Sequence, residues 1–181
     1  MQPNPPQPGF PHYGPTAMEG APTQWGGGPS PVARPKPRAN AGAAMAAGVL
    51  ALLTAGMLVW FALYNVVHAT GASGRWSGIE VQNVVGGVIT AGLLVVAAGF
   101  TFARRIPGAW TLCGLCLFYV VASIAMAPLV WGTPFGTHLK WIFGFEKSNG
   151  VATALAIVFG ALTVIMAAIA GSVKSYEKPR G

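Results

Sequence analysis

Four apolar runs set the pattern of the chain, at about residues 43–67, 81–103, 109–131 and 151–173. Each is long enough to cross roughly 30 Å of hydrocarbon at about 1.5 Å of rise per residue. None alternates with the period of a strand, and none carries the broad polar face of a helix lying on a soluble domain. The pattern predicts an all-α integral membrane protein: a four-helix transmembrane bundle over residues 41–173, a Pro/Gly-rich disordered N-terminal tail over 1–40, and a basic C-terminal tail over 174–181.

The polar intervals orient the bundle, because cationic segments are retained on the cytoplasmic side of a membrane. Arg104 and Arg105 open the central turn, Arg34, Lys36 and Arg38 precede the first run, and Lys174, Lys178 and Arg180 follow the last. These eight cations alternate along the chain with three others, Arg75, Lys140 and Lys147, in the remaining two intervals. Both termini are expected to be cytoplasmic and the two intervals near 69–80 and 132–150 to be outside.

Composition narrows the class further. Of 181 residues, 53% are hydrophobic and 8% charged, where soluble domains carry about 25% charged residues. The net charge of +7 is spread in small groups beside the apolar runs, without a basic groove interleaved with aromatics, which argues against nucleic acid and for anionic lipid headgroups. The first apolar run begins some forty residues in, unlike a secretory signal, and is expected to remain as an uncleaved anchor. Both cysteines lie in the third run, so the loops hold no disulfide framework.

Residues 1–40 contain eleven of the fifteen prolines. Such a segment lacks amide donors and apolar surface to bury, and is expected to be extended with polyproline II character. Phe10, Tyr13 and Trp25 are candidate contacts for a cytoplasmic partner of the tail; a low-complexity solvated tail with no specific partner is the plainer reading of the composition.

Within the runs, small residues recur at four-residue spacing, as in Ala43 and Ala47, Gly86 and Thr90, Gly87 and Ala91, and Ala152, Ala156 and Gly160. Helices associate in lipid by close packing at such faces, so the second run, with four glycines, is expected to be the most buried. Pro128 is expected to kink the third run or end it early. Asn65, Gln82 and Asn83 fall near the outer ends of the first hairpin and are expected to form an outer polar cluster, structural or solute-binding. His68 there reads as an interfacial group.

The two outer intervals differ in kind. Residues 69–80 are rich in Gly and Ser, a composition for turns. The second, 132–150, mixes rings and charge. It suits a short interfacial helix or re-entrant turn, with Ser148 or Asn149 as a cap for the last run. Phe135, His138, Trp141, Phe143 and Phe145 are its candidate interaction residues, for a membrane-protein partner, a second copy of the chain or the lipid bilayer itself.

Reactive chemistry is sparse. The four acidic residues are Glu19, Glu80, Glu146 and Glu177, and no carboxylate falls within a run. Ion-coupled carriers place an ionisable group inside the bilayer, and the chain departs in this from the four-helix multidrug carriers that it matches in helix number. Cys113 and Cys116 form a Cys-x-x-Cys pair without further metal ligands nearby, and read as buried thiols. No phosphate-binding loop is present and the three histidines are scattered. No catalytic, cofactor or metal site is expected. The proline-rich tail, basic collar and four runs resemble uncharacterised tetraspan membrane proteins of high-GC Gram-positive bacteria. That resemblance, one of layout and composition, implies a plasma-membrane location and no particular activity. The leading expectation is a non-enzymatic accessory or scaffold protein, its tail recruiting a partner and its bundle docking on other membrane proteins. The alternative is a small channel or carrier for a neutral or small solute.

Overall fold

A computed structural model describes residues 37–68 and 76–176. A short strand β1 (Pro37–Ala39) leads into α1 (Ala41–His68), followed by α2 (Gly78–Phe102), α3 (Ile106–Trp131), a short α4 (Phe135–Phe143), α5 (Ser148–Ser172) and strand β2 (Lys174–Tyr176). The four long helices are each long and apolar enough to cross a membrane. The protein is a multi-pass four-helix bundle in which each of α1 and α3 lies between α2 and α5. Both strands and the Arg104 turn meet at one end, here termed the basic end; α4 and the polar ends of α1 and α2 occupy the far end.

The helices begin two or three residues before the hydropathy boundaries and end within one residue of them, and local polar chemistry explains several of the starts. Asn40 accepts the Ala43 N–H through Oδ1 at 3.1 Å and so starts α1. At α2, Ser77 Oγ accepts the Glu80 N–H at 3.2 Å while Glu80 Oε2 accepts the Ser77 N–H at 2.7 Å, a reciprocal capping box. Glu80 therefore belongs to a helix rather than to a loop. Pro107 occupies the first turn of α3, where its missing N–H costs nothing. The last span is not capped as expected. It starts at Ser148 after Lys147, without a side-chain cap. Asn149 Oδ1 instead accepts from its neighbour Gly150, and Ser148 Oγ accepts from Trp60 Nε1 at 3.0 Å.

Pro128 does not terminate α3, which continues to Trp131 and is closed by Gly132 in the left-handed conformation at φ 62°. Nor is α2 the most buried helix. Within the most apolar stretch of each span, 44% of α5 and 39% of α1 is buried, against 28% of α2 and 17% of α3. The reason is the length of the small-residue faces: α5 carries one from Gly150 to Gly171 and α1 one from Ala43 to Ala62. A face of this kind lets two backbones approach along their whole length, and these two helices are the most closely packed pair. Gly87 and Ala91 are buried against α1, where a Cβ on Gly87 would stand 3.3 Å from the Leu58 carbonyl oxygen. Gly86, one residue earlier, is exposed, and a Cβ there would meet nothing within 4 Å. The small residues are thus largely consumed inside the single chain; the bundle surface is a belt of Val, Leu, Ile and Phe suited to lipid.

The two strands correct the picture of free tails at residues 37–40 and 174–176. They pair antiparallel, Pro37 opposite Tyr176 and Ala39 opposite Lys174. The expected disorder of residues 1–36 falls outside the described residues, as do Arg34, Lys36, Lys178 and Arg180, and of Lys174 only the backbone is described.

Candidate functional site

Arg104 organises the basic end. It stands just beyond the last turn of α2 with φ 56°, while its N–H bonds the Thr101 carbonyl at 2.9 Å and that of Arg105 bonds the Phe100 carbonyl at 3.3 Å. This is the Schellman ending usually built on glycine. The guanidinium donates to the Ala39 carbonyl from Nε at 3.3 Å and Nη2 at 3.2 Å, and to Ser175 Oγ from Nη2 at 2.7 Å. The Ala39 N–H in turn donates to the Arg104 carbonyl at 3.1 Å, and the Asn40 N–H to that of Ala170 at 3.2 Å. One side chain therefore ties the entry strand, the exit strand and the central turn together. Arg105 is exposed and lies over the Phe100 ring at 5.8 Å. Sequence reasoning read both arginines only as charges that set orientation.

The far end is open. Near the basic end α2 and α3 touch, Gly108 lying against the backbone of Phe100 so closely that a Cβ would stand 2.9 Å from its carbonyl carbon. Over the other half a cavity of about 560 Å³ lies between them, within the roughly 300–1,000 Å³ usual for small-molecule sites. Gly86, Gly87 and Thr90 line it from α2, and Phe118, Tyr119 and Ala122 from α3. Leu58 and Phe61 of α1 form its back. Toward the mouth stand Gln82, Asn83, Ser123 and, from α4, His138 and Trp141. Beyond it the buried Leu94, Leu112 and Cys116 fill the core, so the cavity is a cleft closed toward the basic end.

The α4 helix borders this cleft with His138 and Trp141. It is anchored by Ile142, fully buried against Ala154 and Ile157 of α5 and packed on Tyr119, Val120 and Ile124 of α3. Gly150 permits the contact, since a Cβ there would lie 2.8 Å from the Trp141 carbonyl oxygen. His138 Nε2 is 2.9 Å from the Ser123 carbonyl oxygen; a carbonyl only accepts, so Nε2 carries the proton. The His138 ring stacks near Trp141 at 6.0 Å and 14°. Phe135, Phe143 and Phe145 are exposed, and Phe145 has φ 53°.

The sequence-predicted residues are thus divided. Gln82 and Asn83 share the cleft with His138 and Trp141, residues that the sequence pattern puts in a separate interaction loop. Asn65 is not part of that group: its Nδ2 donates to the Phe61 carbonyl of its own helix at 2.7 Å. The Gly86 and Thr90 face opens on the cleft instead of on a neighbouring helix. His68 stacks on Tyr64 with centroids 3.9 Å apart, and its Nδ1 lies 2.9 Å from the Tyr64 carbonyl oxygen. Cys113 and Cys116 are buried free thiols. Among the described residues, no three His, Cys, Asp or Glu side chains lie close enough to hold a metal ion. Tyr119, Ser123 and Thr153 were missed as lining groups; single polar residues in apolar runs were the available signal.

Compared with protein-family models, with curated proteins and with solved structures, the chain matches none. The functional reading rests on the geometry.

Proposed function

We propose that the protein is a non-enzymatic plasma-membrane protein that takes a small uncharged molecule into the cleft between α2 and α3, as a binder or carrier. The observation that carries this reading is the cleft itself: about 560 Å³, with uncharged polar groups toward its mouth and, among the described residues, no carboxylate, lysine or arginine in its lining. A charged ligand would lose its hydration there without a partner of opposite sign. The closed floor favours binding or carriage over a standing channel. Lys and Arg placement supports a cytoplasmic basic end.

The test is thermal stability of the purified protein across a panel of uncharged solutes, compared with Gly86→Trp, which fills the cleft from a position where a Cβ meets no atom within 4 Å. A bound ligand stabilises the folded state in proportion to its occupancy. A solute that raises the melting temperature of the wild type and not of Gly86→Trp is expected; a panel without effect on the wild type sinks the reading.

Partner assembly is a second reading, favoured by the clasp, which fixes the point at which the N-terminal segment leaves the bundle. The small-residue faces no longer argue for it, because they are buried within the chain. Crosslinked affinity purification of the intact protein and of a form lacking residues 1–34 tests it. The shorter form keeps β1, and partners lost with the tail would support recruitment.

A further inference from the structure

We infer that the ligand of this cleft is a single-chain amphiphile with an uncharged, hydrogen-bonding headgroup, admitted sideways from the leaflet at the far end. This deepens the binding reading and rests on it.

The depth of the cleft comes first. On α2 its lining runs from Ile79 to Thr90, a rise of about 16 Å at 1.5 Å per residue. That is close to half of the roughly 30 Å hydrocarbon thickness, the span of one leaflet. A compact polar solute does not need such a slot, whereas an extended alkyl chain does.

The distribution of chemistry comes second. Gly86, Gly87, Leu58, Phe118 and Ala122 give most of the inner wall an apolar, partly smooth surface, to which Thr90 and Tyr119 add two hydroxyls at the deep end. Gln82, Asn83 and His138 stand at the other end, where the spans approach the headgroup region. With Nε2 engaged at Ser123, the His138 ring keeps Nδ1 for a hydroxyl, and the two amides offer donors and acceptors. Hydroxyl or ester oxygens match these groups; a phosphate would find no lysine or arginine among the described lining residues.

The way in comes third. Of the four neighbouring pairs of spans, α2 and α3 touch least. Phe118 and Met126, on the α3 side of the cleft, are 75% and 42% exposed. Gly86, on the α2 side, presents no side chain to the gap. In a bilayer these exposed surfaces face lipid, so a chain already in the leaflet enters without crossing water. At the aqueous mouth His138 and Trp141 of α4 stand on the α3 side of the cleft, α4 itself being seated on α3 and α5 around the buried Ile142.

The experiment uses the full chain in nanodiscs and a photoreactive 1-palmitoylglycerol with a diazirine in mid-chain, followed by mapping of adducts. Adducts concentrated on residues 79–90 and 118–131, displaced by unlabelled 1-palmitoylglycerol and reduced about tenfold or more in Gly86→Trp, are expected. Ala122→Phe, filling the cleft from the opposite wall, is expected to act alike and guards against misfolding of either variant. A phosphate-headed analogue of the same chain is expected to compete poorly. Adducts spread evenly over all lipid-facing surfaces and unchanged in both variants would overturn the inference. If water-soluble uncharged ligands still stabilise the wild type and not Gly86→Trp, the binding reading survives that result; if neither class binds, both fall.

Discussion

Two non-glycine residues in the left-handed region, Arg104 at φ 56° and Phe145 at φ 53°, show how single positions carry opposite kinds of work. A Cβ in this conformation costs roughly 1–2 kcal/mol, so each side chain has to compensate or serve elsewhere. For Arg104 the compensation is visible in three charge-assisted hydrogen bonds to Ala39 and Ser175. Arg104→Ala keeps the strain and loses the bonds, and is expected to cost about 2 kcal/mol in reversible unfolding from detergent micelles. Arg104→Gly loses the same bonds but relieves the backbone, and is expected to lie about 1 kcal/mol above Arg104→Ala and still below the wild type. Equal stability of the alanine variant and the wild type would show that the clasp contributes nothing. Phe145 has no such compensation, being 59% exposed. Phe145→Gly is therefore expected to be at least as stable as the wild type and about 1 kcal/mol more stable than Phe145→Ala, by the same unfolding measurement. That outcome would show that the ring does not stabilise the fold.

At the scale of elements, the short helix α4 is held by few contacts and depends on one close approach. Gly150→Ala places a methyl 2.8 Å from the Trp141 carbonyl oxygen, a backbone atom that cannot rotate away. The strain of overpacking is typically about 1–3 kcal/mol, and α4 is the weaker partner. Gly150→Ala is expected to lift α4 and speed amide exchange over residues 135–143, with the four spans unchanged; exchange as slow as in the wild type would count against this account. Ile142→Ala is expected to reach a similar state by removing the buried anchor, at a cost of about 2 kcal/mol or more. The spans themselves were legible in the sequence because their signal is local: a run of apolar residues, and at α2 a Ser-x-x-Glu box readable at Ser77 and Glu80 but overlooked in favour of a loop. The cleft was not legible. Gly86 and Gly87 are neighbours of the same type, and only the rotation of α2 about its axis leaves Gly86 open to the cleft while Gly87, also in its lining, packs against α1. The clasp was hidden for a related reason, since Arg104 meets residues 65 and 71 positions away. A charge run beside an apolar run says where a cation sits and nothing of what it holds.

For the molecule as a whole, the closed basic end and the open far end make orientation the property on which function turns. Eight of the eleven Lys and Arg residues belong to the three segments at or leading from the basic end. If the cytoplasmic face retains these cationic segments, the cleft is expected in the outer leaflet. Cys113 and Cys116 are buried and free, so replacing both by alanine gives a background for single-cysteine labelling. Gly136 is a suitable reporter for the far end, because it is exposed and a Cβ there meets nothing within 4 Å. Gly136→Cys is expected to react with a membrane-impermeant maleimide in intact cells. Thr23→Cys in the N-terminal segment is expected to react only after permeabilisation. The reverse pattern would put the cleft in the inner leaflet, and the amphiphile it takes would then have to come from the cytoplasmic side. Replacing Arg104 and Arg105 by glutamine supplies the finer test of cause. If charge alone sets orientation, the remaining six cations of those segments still outnumber the three at the far side and the pattern of labelling holds, while the loss of the clasp appears separately as lower stability.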